Sequence, residues 1–71
     1  MKYFVCVSFI SNSNADCRYW ANYIIDEDPI EWFQKWKTGL YKANAERRSF
    51  YSSVALHFYS AVADNAEVGE M

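Results

Sequence analysis

Fourteen of the 71 residues are aromatic (three Trp, six Tyr, five Phe), in a chain with only two Gly and one Pro. That load constrains the fold more than any other feature. Aromatic side chains supply large buried areas and dominate interface energetics. A chain of this length forms one domain at most and hides a limited share of its surface. With 52% hydrophobic residues and so few chain breakers, the sequence is that of a folded domain rather than a disordered one. Such a domain has more ring surface than interior, so part of the aromatic set is expected outside.

The first run, Lys2–Ile10 (KYFVCVSFI), is rich in aromatic and β-branched residues and predicts a strand. Tyr3, Val5, Val7 and Phe9 share one face, and Phe4, Cys6, Ser8 and Ile10 the other; neither face is properly polar. Turn formers fill Ser11–Asp16 (SNSNAD), and Cys17–Ile25 (CRYWANYII) predicts the returning strand. Tyr19, Ala21, Tyr23 and Ile25 alternate there with Arg18, Trp20, Asn22 and Ile24. The hairpin loop leaves the register open by one residue, a slip that turns every side chain to the opposite face.

Asp28-Pro29 opens a helix: Asp28 as N-cap, Pro29 at the first helical position, and Glu31 at capping-box spacing. Ile30, Phe33, Trp36, Leu40 and Tyr41 fall on one side of the wheel with Trp32 at the margin, and Glu31, Gln34, Lys35, Thr38 and Lys42 fall opposite. Gly39 is a candidate C′ residue; otherwise the helix runs to about Lys42. Residues 43–49 form a connection, with an extra helical turn as the alternative, and a third strand is expected from about Ser53 to Val62, since a lone hairpin is marginal and a helix needs a sheet to cover. The expected fold is α+β: a small ββαβ domain, a three-stranded antiparallel sheet with one helix packed on one face, with ββαα as the alternative. Residues 1–62 make the single domain, and the acidic residues 63–71 a flexible C-terminal tail.

Two cysteines, Cys6 and Cys17, are too few for a disulfide framework. In the hairpin they stand about 13 Å apart along the strands, beyond the ~7 Å that a bridge tolerates. Reduced thiols suggest a cytoplasmic protein, and no apolar run approaches the ~20 residues of a membrane span. The net charge of −2 hides an asymmetry: an acidic knot, Asp26, Glu27 and Asp28, a basic band of Lys35, Lys37, Lys42, Arg47 and Arg48, and an acidic end, Asp64, Glu67 and Glu70. Charge patterning of this kind steers association rather than dictating fold.

Covalent chemistry has little to work with. His57 is the only histidine, and nothing in the sequence sets either thiol beside it as a nucleophile–base pair. The cysteines lack CxxC spacing, so no metal site is expected. Two glycines far apart exclude a phosphate-binding glycine loop. The carboxylates at 26–28 suit a helix N-terminus without any catalytic role. The sequence predicts no enzyme, no catalytic residues, no cofactor and no small-molecule substrate.

The expected function is that of a non-catalytic protein-binding module acting by occlusion, as one member of a hetero-complex or of a homodimer. Tyr19, Trp20, Tyr23, Trp32 and Trp36 are the candidate anchors, with Asp26 and Glu27 as a charged rim. By size and composition alone, tiny acidic aromatic-rich domains of this sort look like phage- or mobile-element-encoded inhibitors of host nucleic-acid-handling or defence machinery, anti-CRISPR proteins among them. The alternative is a small nucleic-acid-binding protein using Lys35, Lys37, Lys42, Arg47 and Arg48, with nearby rings to stack on bases.

Overall fold

The structure is a computed structural model that describes residues 1–11, 17–47 and 51–71, with residues 43–47 described through their backbone only. The elements run β1 (Lys2–Ser11), β2 (Arg18–Ile25), α1 (Pro29–Arg47), β3 (Tyr51–Val62) and β4 (Gly69–Glu70). The four strands form one sheet in the order β3-β1-β2-β4, each neighbouring pair antiparallel. Because β2 and β3 both oppose β1, they run parallel to each other with β1 between them. The helix is the crossover that joins them, so β2-α1-β3 is a split βαβ unit.

The α+β class is as expected, with one helix over one face of an antiparallel sheet. The strand count and order differ: the sheet has four strands and the order is ββαββ. The extra strand comes from the segment that composition marks as a tail. There β4 pairs Tyr23 with Glu70 and Ile24 with Gly69, the Met71 N–H donates to the Asn22 carbonyl at 2.9 Å, and Lys2 Nζ donates to the Ala66 carbonyl at 2.7 Å. Gly69 sits at φ +146°, a conformation that glycine adopts without strain. A two-residue strand has no hydrophobic period, so composition alone reads this segment as loose.

The register of β1 on β2 pairs Tyr3 with Ile25, Val5 with Tyr23, Val7 with Ala21 and Phe9 with Tyr19. Directly opposed residues share a face. The Tyr19/Tyr23 row therefore lies on the same side as Tyr3, Val5, Val7 and Phe9, and α1 covers this side. Trp36 Nε1 donates to Tyr23 Oη at 3.3 Å, and Trp32 and Trp36 stack on each other with centroids 5.9 Å apart. Val5 and Val7 are fully buried beneath this layer, with Ile25 at 4% exposure beside them.

The helix begins as its sequence predicts. Asp28 Oδ1 accepts from the N–H groups of Ile30 and Glu31 at 2.9 and 3.1 Å, and the first intrahelical bond runs from the Trp32 N–H to the Asp28 carbonyl. It does not stop at Gly39 or Lys42 but continues to Arg47. Nothing lies within 4 Å of where a Gly39 Cβ would stand, and no C-cap forms there. The buried stripe also turns relative to the wheel. Trp32, Phe33, Trp36 and Leu40 are half-buried, whereas Ile30 and Tyr41 are exposed.

Strand β3 forms and is longer than expected, but one simple alternation does not describe it. Its pairing with β1 shifts register twice, between the partners of Cys6 and Val7 and between those of Ser8 and Ile10. Phe58 opposes Cys6 while Leu56 opposes Val7, so His57 is an extra residue in the ladder. Val54, Leu56, Phe58, Ser60 and Val62 therefore do not share a face: Leu56 joins the helix side and Phe58 the other. In the second bulge Ser53 takes φ +51°. The hairpin turn expected at 12–16 and the end of the connection at 48–49 lie outside the described residues.

Candidate functional site

The helix covers one side of the sheet, and the molecule's shortest dimension is 17 Å, room for these two layers and no third. The other side has no helix over it; at one end the C-terminal segment lies against Ile24, which is 9% exposed, and the rest of the face is open. Period-two alternation and the register place Lys2, Phe4, Cys6, Ser8 and Ile10 of β1 on it, with Arg18, Trp20, Asn22 and Ile24 of β2. From β3 it receives His57, Phe58 and Ser60. Trp20 is 59% exposed and Phe58 54%. Phe4 packs against Phe58 with centroids 6.2 Å apart, and Trp20 lies over His57 at 4.6 Å. Two aromatic pairs thus span the three long strands.

A polar chain runs beneath the second pair. Ser8 has no exposed surface. Arg18 Nη1 donates to Ser8 Oγ at 2.7 Å and to the Ser53 carbonyl at 2.9 Å, and Ser8 Oγ lies 2.5 Å from His57 Nε2. One residue from each long strand meets at this hydroxyl. The left-handed backbone of Ser53 presents its carbonyl to Arg18, and the bulge at His57 turns the imidazole down to Ser8. The serine–histidine pair has the elements of a nucleophile and a base, but Ser8 is sealed from solvent beneath Trp20 and His57. The arrangement ties three strands together and braces the exposed rings above it. The sequence weighed His57 against the two thiols and missed Ser8, because the bulge that unites them leaves no periodic signal. Cys6 and Cys17 are free thiols.

The expected anchors divide between the two sides of the sheet. Tyr23, Trp32 and Trp36 interlock on the helix side: Tyr23 meets Trp32 at 5.0 Å and Trp36 at 6.4 Å. Tyr19 stacks on Phe9 at 5.5 Å and keeps 43% exposure. Among the expected anchors, Trp20 alone stands on the open face. Phe4 and Phe58 join it there, although neither was an expected anchor.

The charged candidates also divide. Asp28 caps the helix and Asp26 is exposed, whereas Glu27 accepts from Lys35 Nζ at 2.9 Å. That carboxylate holds the Lys35 ammonium above the ordinary lysine pKa, through the hydrogen bond first and its charge second. The acidic rim and the basic band therefore neutralise each other at one point. Lys37 lies 6.0 Å from the Tyr41 ring centre, and Lys42 is exposed. The Arg47 side chain and Arg48 lie outside the described residues.

Among the described residues, no group of three His, Cys, Asp or Glu side chains is placed to hold a metal ion. No helix among them is long and apolar enough to cross a membrane. A shallow concavity between Ile24 and the C-terminal segment carries Glu67 and Glu70 but no cation. Compared with known protein families, characterised proteins and solved structures, the chain matches none. The class defined by fold and site is a small α+β domain with a helix-backed sheet and an open aromatic face.

Proposed function

We propose that the chain is a non-catalytic protein-binding module that acts by occlusion, with the open sheet face as its contact surface. One observation carries this: Trp20 and Phe58 are each more than half exposed on the part of the sheet face that neither the helix nor the C-terminal segment covers. Strands fix these rings, and the Arg18–Ser8–His57 chain braces them, so little side-chain freedom is lost when a partner docks. Large, rigid aromatic side chains are the residues that most often carry interface energy. The test is affinity capture with the wild-type chain and with W20A/F58A. A partner retained by the first and lost by the second, at equal folded content, supports the proposal; identical captured sets overturn it.

A second reading, nucleic-acid binding, has its own observation. Strands β1 to β3 place Lys2 and Arg18 on this face and no carboxylate. Cations beside exposed rings suit single-stranded nucleic acid. Both cations, however, already donate within the chain, which ranks this reading second. A flat titration against single-stranded oligonucleotides at low salt removes it.

A further inference from the structure

The sheet has two edges, and they are unlike. One carries β4, two residues long, which pairs only with Tyr23 and Ile24; the remainder of that edge is Arg18–Asn22 of β2, which bears the Arg18 charge and whose Asn22 carbonyl accepts from Met71. The other is β3, twelve residues long (YSSVALHFYSAV), with a strand neighbour on one side only among the described residues. Natural edges are blunted by charges, proline, bulges or brevity. Strand β3 contains no Asp, Glu, Lys, Arg or Pro, and its two bulges both lie at or before Phe58. From Phe58 to Val62 it pairs regularly with Cys6 to Lys2, so its other side offers a straight row of backbone donors and acceptors.

We infer that Phe58–Val62 is a self-association edge: β3 of one copy pairs antiparallel with β3 of a second copy about a twofold axis at Ser60. Backbone groups of an edge strand are satisfied best by another strand. The occupant is a second copy because the segment complements itself. Centring the pair on Ser60 sets Phe58 against Val62 of the second copy on the open face, and Tyr59 against its Ala61 on the helix face. Each is a large residue opposite a small one, with two serines meeting at the axis. All five residues are used, and no charge meets its like. Phe58 and Tyr59, 54% and 47% exposed, flank this edge on opposite faces and gain cover in both copies.

The symmetry is closed, since a twofold pairing uses the β3 edge of both copies and leaves neither free to add a third. The axis stands perpendicular to the sheet, so both helices lie on one side and the two open faces join into a single surface eight strands wide. This goes beyond the proposed function and stands on the edge rather than on Trp20; the two share Phe58, so they are separated through Trp20 and Ser60. Five residues of strand pairing fall short of the ~800 Å² per partner of a standard interface, so the dimer is weak, with Kd on the order of 10–100 µM.

The experiment uses the full chain in sedimentation equilibrium from about 1 to about 500 µM, spanning that Kd. A monomer–dimer equilibrium is expected, and S60K, which sets two ammonium groups at the axis, weakens it by up to about fivefold. Under mild oxidation, S60C in a C17S background is expected to give a covalent dimer, whereas S52C and the C17S background alone are not. The cross-link reads the register even where S60K fails to fold. A chain monomeric throughout, or a dimer that S60K leaves intact and S60C does not trap, overturns the inference. Capture by the open face is read separately through W20A, which leaves the edge unchanged, so the two proposals fail independently.

Discussion

At the scale of single residues, the buried Ser8 hydroxyl has the most consequence for its size. Its partners come from β2 and β3, and Arg18 also satisfies the Ser53 carbonyl. Arg18→Met keeps a stem of similar length and removes the donors, leaving a buried hydroxyl and a carbonyl short of partners. Losing such bonds costs about 1–3 kcal/mol, so the urea midpoint should fall clearly in R18M, and a double-mutant cycle with His57→Phe should be non-additive. Gly39 makes the opposite case. It sits inside α1 with open space around its missing Cβ, and Gly is ~1 kcal/mol worse than Ala in a helix interior. Gly39→Ala should therefore raise stability by about 1 kcal/mol, seen as a rise of about 4–8 °C in Tm for a domain this small.

At the scale of elements, the helix start was legible because its signals are local. Asp28 had to cap and does, and Asp28→Ala should cost about 1 kcal/mol. Glu27 and Lys35 pin the same end. Because Lys35 has a raised pKa in the fold, the pair's contribution is complete below the ordinary lysine value of 10.5 and is lost as pH climbs through the higher folded value. Wild type and Lys35→Met should thus differ by a constant small margin near neutral pH and converge above pH 10.5. Added salt should narrow the gap at any pH, since the lysine is exposed. The elements that escaped the sequence lacked a local signal. Gly39 reads as a cap by type, yet the helix passes through it, and Leu40 beyond it is half-buried. The bulge at His57 inserts one residue without Gly or Pro to mark it, and that single insertion parts Leu56 from Phe58. Strand β4 exists only because β2 offers it an edge. The same reasoning explains the site: alternation correctly opposed the Trp20 row to the Tyr23 row, but the register that decides which row meets the helix is settled by tertiary packing.

At the scale of the whole molecule, two aromatic sets do different work, and their energetics should separate. Trp36 touches Phe9, Tyr23, Trp32 and Phe33 and donates a hydrogen bond to Tyr23. Truncating such a ring in a core costs about 3–5 kcal/mol, and somewhat less for a half-buried one. In a domain whose total stability is a few kcal/mol, Trp36→Ala should leave the chain largely unfolded at 37 °C. Among the described residues Phe58 has one ring neighbour, Phe4, and more than half of its surface is in water. Phe58→Ser should cost within about 1 kcal/mol, near the range of surface substitutions, and should improve solubility by breaking an exposed apolar patch. Trp20→Ser should cost somewhat more, because the indole covers Ser8, yet stay well short of Trp36→Ala. Thermal unfolding of the three variants side by side decides the matter. If the Trp20 and Phe58 substitutions unfold the chain as Trp36→Ala does, the open face is core rather than contact surface, and its rings are not free to meet a partner. If they leave the fold intact, their exposure is not needed for stability, and what keeps them at the surface has to be sought in what the face touches.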